Sequence, residues 1–440
     1  MKIVLISTYE LGRQPFGLAS PAAWLRRAGH QVSCADLALG PLPSVPIREA
    51  DLVAFYLPMH TATRLAVQAI SRVKLLNRAA QLACYGLYAP MNEAYLRSLG
   101  VRHVLGGEFE AGLLAVAEGN AAGVPLVSLE RIPFEVPDRA GLPGLARYAR
   151  LHVNGRSRTA GYTEASRGCQ HHCRHCPVVP VYGGVFRIVP RDVVLENIRR
   201  QVASGAQHIT FGDPDFFNGP GHAGAVVEAL HREFPAVTYD VTIKIEHLRR
   251  HAARLPLLRD TGCLFVTSAV ESVDDEVLTK LDKGHTRRDF IAVTESFRRA
   301  GLTLAPTFIP FTPWTTWDSY RDLLQLLLDL GLVENVGPIQ LALRLLVVPG
   351  SRLLELPGIS RLIGPLDQAA LLYPWKHPDP GLDRLAANLF SLIHDAQKIR
   401  LSRRAIFRQV WAAAHHRPLP DNFDLLPRAA IPWMDEPWYC

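Results

Sequence analysis

Short apolar runs alternating with helical stretches fill most of this chain, and no other feature restricts its fold so strongly. KIVLIS (2–7), QVSCADLA (31–38), DLVAFYLPM (51–59), QLACYGLYA (81–89) and HVLGGEFE (103–110) are the first five. Runs of this kind suit parallel strands buried on both faces. Helical patterns at Pro21–Arg27, Thr61–Leu76 and Met91–Leu99 lie between them. This order predicts an α/β, doubly wound parallel sheet over residues 1–145. The first strand does not lead into G-x-G-x-x-G, so a dinucleotide site is not expected.

From Val124 to Gly155 the pattern loosens around Pro125, Pro133, Pro137 and Pro143, as in a linker. A second series starts at GYTEASRG (161–168) and continues through HITFGD, TYDVTIKIE, CLFVTSAVES and TLAPTFIPF to IQLALRLLVV (339–348). Helices are expected at Arg191–Ser204, His222–Glu233, in a stretch ending near Asp260, and at Arg287–Ala300 and Trp317–Leu330. Six strand–helix units predict a partial (β/α)6 barrel of the TIM type over 155–350, short of eight units and therefore open. Residues 351–440 read as a helical, proline-rich extension.

With 440 residues the chain exceeds the roughly 250–300 that one core supports. No apolar run approaches the ~20 residues that cross a bilayer, so no membrane partner is expected. MKIVLIS runs directly into TYELGRQP and reads as a first buried strand, not a signal peptide. The net charge of +7 nominally suggests nucleic acid. The arginines are dispersed in pairs, such as Arg26–Arg27, Arg199–Arg200 and Arg249–Arg250, which solvated helix faces explain, so nucleic acid is not the expected partner.

Seven cysteines are present: Cys34, Cys84, Cys169, Cys173, Cys176, Cys263 and Cys440. Three crowd into TEASRGCQHHCRHCP, and Cys84 and Cys263 sit in apolar segments that read as buried. That argues for a reducing cytoplasm and a metal site, not a disulfide framework. Three readings of the loop stand side by side. Cys169, Cys173 and Cys176 hold three corners of a four-iron cluster with one iron left open; or they join His171, His172 or His175 around zinc; or they are buried thiols without a metal. C-x-x-x-C-x-x-C is unusual zinc spacing, no second cysteine pair follows, and the loop sits at a barrel strand's end. These points favour the cluster.

The loop and its position resemble the radical S-adenosylmethionine superfamily. The resemblance implies a 4Fe–4S cluster on the three cysteines and S-adenosylmethionine on the open iron, with reductive cleavage of a carbon–sulfur bond. It implies a small-molecule substrate and a reductant protein such as flavodoxin or ferredoxin. HITFGDPDFF resembles the I-x-F-x-D-D-x-F run of the cobalamin-associated branch, which implies that Asp213 meets the ammonium of S-adenosylmethionine. A bare Asp-Pro turn shaped by Asp213 and Asp215 is the alternative. SAVESVDDEVLTKLDKGHT resembles that branch's G-x-E-S…L…K-G-x-T pattern, implying that Glu271 binds ribose hydroxyls. His175 stands where the superfamily usually has an aromatic and is expected either near adenine or as a side chain covering the cluster. Lys244 and Glu246 alternate onto one strand face, lining the cavity or pairing with each other. Arg344, on the last strand, would meet the carboxylate of S-adenosylmethionine or of substrate.

The first 145 residues resemble the cobalamin-binding domain of the same branch, down to the closing GGEFE. The D-x-H-x-x-G motif is absent, and His60 in LPMHTATR lacks its aspartate and glycine. The resemblance therefore leaves two outcomes: cobalamin held without a lower histidine, or lost. ISTYELGRQPFGLASPAAWLRRAGH and the closing WMDEPWYC resemble a group named for a CUAEP or CCAEP tail, U being selenocysteine. Cys440 would open that motif, with the chain cut at a UGA codon; a true terminus with an incidental cysteine is the alternative. A Cys–selenocysteine pair would act in redox chemistry or grip a soft metalloid such as arsenic. Outside catalysis, the remaining reading is an iron–sulfur or zinc protein that binds RNA or another protein.

Overall fold

The first apolar runs pair exactly where their buried faces demand. In the computed structural model, which describes residues 1–419 and 430–435, strands β1 (Lys2–Ser7), β2 (Gln31–Asp36), β3 (Leu52–Tyr56), β4 (Gln81–Tyr85), β5 (His103–Gly107) and β6 (Val127–Ser128) form one parallel sheet. Its order is β2-β1-β3-β4-β5-β6. Helices α1 (Phe16–Arg27), α2 (Ser44–Glu49), α3 (His60–Leu76), α4 (Glu93–Ser98) and α5 (Glu110–Ala117) connect the strands. Two separate apolar clusters cover the faces, one built on Val4, Ile6, Val53 and Phe55, the other on Ile3, Leu5, Leu52 and Ala54. Alternate residues of the same strands feed opposite clusters, which is why the runs contain no polar partner positions. The strand order reverses between β1 and β3, the point at which sheets of this kind open a crevice beyond their carboxyl ends.

The second sheet has the order β14-β13-β12-β11-β8-β7-β15. Its strands are β7 (Arg150–Val153), β8 (Arg156–Thr163), β11 (His208–Phe211), β12 (Thr238–Thr242), β13 (Cys263–Glu271), β14 (Thr303–Phe308) and β15 (Trp433–Met434). From β8 to β14 all neighbours are parallel; β7 and β15 add an antiparallel edge. Helices α7 (Arg191–Ala203), α8 (Pro220–Glu233), α9 (Ile245–Arg250), α10 (Leu255–Asp260), α11 (Asp275–Leu281), α12 (Arg287–Ala300) and α13 (Trp317–Asp329) cross between strands, giving a curled half-barrel. Between β8 and α7, β9 (Ser166–Gly168) pairs antiparallel with β10 (Phe186–Ile188), and the cysteine loop with the single turn α6 (Val179–Tyr182) spans them.

The C-terminal helices α14 (Pro380–Lys398) and α15 (Arg403–His415) share the half-barrel's apolar cluster through Leu385, Leu389, Phe407 and Trp411. They therefore have no core of their own among the described residues. The proline-rich stretch after β6 is also tied down. Asp138 pairs with Arg26 at 2.9 Å, and Arg139 bonds Asn197 and the carbonyl of Tyr162.

Two expectations are corrected. The sixth strand, IQLALRLLVV, is a 3-10 turn at Pro338–Leu341 followed by extended chain that forms one isolated parallel bridge, Arg344 to Phe311 just beyond β14. The strand expected through TYDVTIKIE stops at Thr242, and α9 begins at Ile245. Lys244 and Glu246 therefore do not share a strand face; Glu246 lies in the helix and bonds Arg250 one turn on, at 3.1 Å. Cys440 lies outside the described residues.

Candidate active site

Gly168 delivers the chain into the cysteine loop with φ at +73°, and a Cβ there would meet the carbonyl oxygen of Val185 at 2.4 Å. Only glycine turns the backbone this way at that spacing. From there the loop is fixed by groups from several elements. Asn218 accepts from Gln170 N and donates to Gly168 O, both at 3.2 Å. Arg174 N donates to Leu281 O at 2.9 Å, and Arg174 Nη1 reaches the last carbonyls of α11. Ser351 Oγ donates to Arg174 O, and Arg352 to His172 O.

The thiols of Cys169, Cys173 and Cys176 are free and near enough to sense one another's charge. Burial pushes the Cys169 thiol up to about 12 and that of Cys176 to about 11. Thiols held protonated by burial become ligands when a cation displaces their protons. Lys283 is buried beside them; desolvation opposes its charge, but Glu271 and the thiols of Cys173 and Cys176 outweigh it and raise its pKa. Lys283 stands in the K-G-x-T segment, and the sequence reading did not single it out. Three soft donors in a fixed loop, with a buried cation to offset their added negative charge, fit a three-cysteine iron–sulfur cluster.

Glu271 ends β13 with φ at +69°, beside a register break between Ala269 and Glu271. A non-glycine residue held there costs on the order of 1–3 kcal/mol, strain that clusters at functional positions. Its Oε1 lies 3.1 Å from His175 Nε2 and 3.4 Å from Lys283 Nζ. Burial alone would raise this carboxyl, but Lys283 and His175 hold it down at about 2. Glu271 and His175, far apart in sequence, are thus brought together next to the cysteines. His285 adds a buried imidazole whose nitrogens make no hydrogen bond. Burial, then Lys283 and Lys244, lower it to about 4, so it is neutral at pH 7. Lys244 Nζ bonds Glu246 at 3.2 Å.

Asp213 is buried, and its two oxygens accept from Ala165 N at 2.9 Å and Ser166 Oγ at 2.5 Å. Burial raises it to about 7 despite these donors. It ties the end of β11 to the strand entering the cysteine loop. Asp215 caps the following turn through Phe217 N. Arg344 stands apart: its guanidinium pairs with Asp383 at 2.6 Å and lies 3.9 Å from the Trp375 ring centroid. The expected carboxylate is therefore one of this chain's own.

A cavity of about 230 Å³ opens between the two sheets, lined by Glu10, Arg13, Tyr56, Tyr162, Glu164 and Gly168, among others. A second, of about 290 Å³, lies inside the half-barrel against Thr210, Asp240, Thr267, Thr307 and Met434. Both are lined by Leu11, Arg13 and Gly212. Arg167 forms the seam between the sheets, pairing with Glu108, Glu110 and Glu164 at 3.1, 2.8 and 2.9 Å. Burial raises Glu164 to about 7, Arg167 pulling the other way.

The crevice at the β1/β3 reversal is crowded by aromatic rings. Tyr56 stands where a Cβ at Gly17 would lie 2.2 Å from its ring. Tyr85 donates to Gly17 O at 2.8 Å, and Phe109 packs 4.9 Å from Tyr85. The space left there is about 230 Å³, and it adjoins the cavity inside the half-barrel. His60 Nε2 is engaged by Ala370 O at 2.7 Å.

Three free thiols thus lie in the loop after the first parallel strand of a half-barrel. Residues 163–327 match the radical SAM superfamily, whose cofactors are a 4Fe–4S cluster and S-adenosylmethionine, and the match marks this chain as an enzyme. The hopanoid C-3 methylase of Methylococcus capsulatus is 27% identical over 328 residues, covering 68% of this chain and 62% of the methylase. The chain thus spans about three-fifths of that relative's length. Among solved structures, the cobalamin-dependent S-adenosylmethionine radical enzyme OxsB, with aqua-cobalamin and S-adenosylmethionine bound, superposes with a TM-score of 0.68 at 13% identity, over 90% of this chain and 66% of that one. The radical S-adenosylmethionine methyltransferase TsrM from Kitasatospora setae gives 0.61 at 16%, over 75% and 71%. At these identities the likeness shows a shared fold.

Proposed function

We propose that this protein cleaves S-adenosylmethionine reductively at a 4Fe–4S cluster held by Cys169, Cys173 and Cys176, and transfers a fragment of it to a small molecule. One observation carries the reading: three free thiols meet a buried Lys283, Glu271 and His175 at the ends of the half-barrel strands. When bound, the cluster supplies the electron that breaks a carbon–sulfur bond of S-adenosylmethionine. The chain's residues bind and orient. Glu271, ionised at neutral pH, accepts from ribose hydroxyls, and His175 stands beside the adenine. Lys244, held by Glu246, lies beside His285 and lines the S-adenosylmethionine site. Asp213 acts as a positioning residue through Ala165 and Ser166. Arg344 is left to the Asp383 pair.

The two adjoining cavities hold the substrate. One relative named as a methylase and one solved structure named as a methyltransferase favour methyl transfer as the subtype, and no step here depends on a corrin. Residues 1–145 form the first unit, 155–350 the catalytic half-barrel and 351–440 its extension. Trp433 and Met434 line the inner cavity, which supports a substrate-side role for the segment leading toward Cys440. A cytoplasmic reductant such as flavodoxin or ferredoxin completes the system. The test is a set of single variants, C169A, C173A and C176A, reconstituted anaerobically. Each is expected to lose cluster absorbance and to release 5′-deoxyadenosine or methylthioadenosine only at background rates. Undiminished cluster and turnover in any one would remove that cysteine from the site.

A further inference from the structure

His171, between the first two cysteines of the loop, turns away from Glu271 and toward Asp215 and His247. Asp215 follows β11, and His247 sits in α9. His171 Nε2 lies 3.4 Å and His247 Nδ1 2.8 Å from the same oxygen, Asp215 Oδ2. The three donor atoms lie within 4.8 Å of one another. His247 and Asp215 are 1% and 2% exposed, and His171 11%. Yet none of these three atoms makes a hydrogen bond of proper geometry. An imidazole N–H lies in the ring plane, so a proton-bridged pair at such distances would be aligned. Buried polar atoms converging on a common point without bonding each other are what a cation site leaves.

The outward sides of the rings are supported. His171 Nδ1 lies 3.5 Å from Glu246 Oε2, and His247 Nε2 lies 2.7 Å from the Gln170 amide. Turning that amide over, an assignment made by hydrogen bonding alone, gives His247 Nε2–H a carbonyl acceptor. Metal-bound histidines characteristically donate their second N–H to a carboxylate or carbonyl. The remaining carboxylate oxygen, Asp215 Oδ1, is fixed by Phe217 N at 3.0 Å. The spacing suits a metal as well. Bonds of ~2.0–2.1 Å give ligand–ligand edges of about 3.3 Å in a tetrahedron and about 2.9 Å in an octahedron.

We infer that His171, Asp215 and His247 form a mononuclear site for a divalent transition metal of the zinc or ferrous class, separate from the three cysteines. Two imidazoles and one carboxylate suit these borderline ions and leave a coordination position for water. The ion staples the cysteine loop to the turn after β11 and to α9, three segments that the sequence keeps more than thirty residues apart. It does not replace the cluster, because none of its ligands is a thiol.

The probe is Co²⁺, titrated into the metal-stripped full-length C169A/C173A/C176A variant. One equivalent is expected to bind, giving ligand-field bands without sulfur-to-cobalt charge transfer. In the same background H171Q and H247Q lose stoichiometric binding, and E246Q weakens it by about 10–100-fold. Circular dichroism melts identify folded variants; should H247Q not fold, H171Q, whose side chain is nearer the surface, carries the test. A folded parent that binds no Co²⁺, or binding unchanged in H171Q, overturns the site. In the wild-type holoprotein, zinc near one equivalent, or one iron beyond the cluster's own, identifies the native ion; neither being present also overturns it.

Discussion

Glu271 concentrates several demands on one side chain: a strained backbone, full burial and two cationic neighbours. Its ordinary pKa of 4.5 is depressed to about 2 in the fold. A depressed carboxyl stabilises the fold fully above its unfolded value, and that contribution is lost as pH falls through the folded value. The stability gap between wild type and E271Q should therefore be widest at pH above about 4.5 and narrow as pH approaches about 2. Urea unfolding at stepped pH measures it, and a gap that stays constant would contradict the assignment. The motif around Glu271 was visible in the sequence, as were the three cysteines, because each is a local spacing. Lys283, in the same motif, was not read as a partner, since nothing local shows which way a lysine turns. Arg344 was misread for a related reason: Asp383 and Trp375 arrive from more than thirty residues away.

At the level of elements, the strands of both sheets were legible because burial on both faces leaves an unbroken apolar run. IQLALRLLVV has the same composition and failed as a strand, for an apolar run does not by itself distinguish a strand from other buried chain. Here its backbone joins no strand and forms one isolated bridge, to Phe311 beyond β14. TYDVTIKIE alternates past Thr242, yet Ile245–Arg250 closes a helical turn in which Glu246 bonds Arg250. The seam between the sheets was not legible at all. Arg167 brings together Glu108 and Glu110 of the GGEFE segment with Glu164 from the second half of the chain, and Phe134 from the proline-rich stretch packs over it. Removing one partner of a buried ionic cluster leaves the others uncompensated, at a cost of about 3–5 kcal/mol. R167M should lower the urea midpoint accordingly; a shift within error of wild type would show that the seam carries no stability.

For the whole molecule, the first sheet has the architecture of a cofactor-binding unit but fills its own crevice with Tyr56, Tyr85 and Phe109. Protein purified anaerobically from cells supplied with cobalamin should contain cobalt far below one equivalent per chain. Stoichiometric cobalt would show that these rings move aside. The central claim concerns the cysteine loop and what it activates. Wild-type protein, reconstituted anaerobically with iron and sulfide, reduced and given S-adenosylmethionine, tests it most directly. The account predicts a brown protein that releases 5′-deoxyadenosine or methylthioadenosine in a reductant-dependent manner; a protein that takes up no iron at the loop and leaves S-adenosylmethionine intact would contradict it.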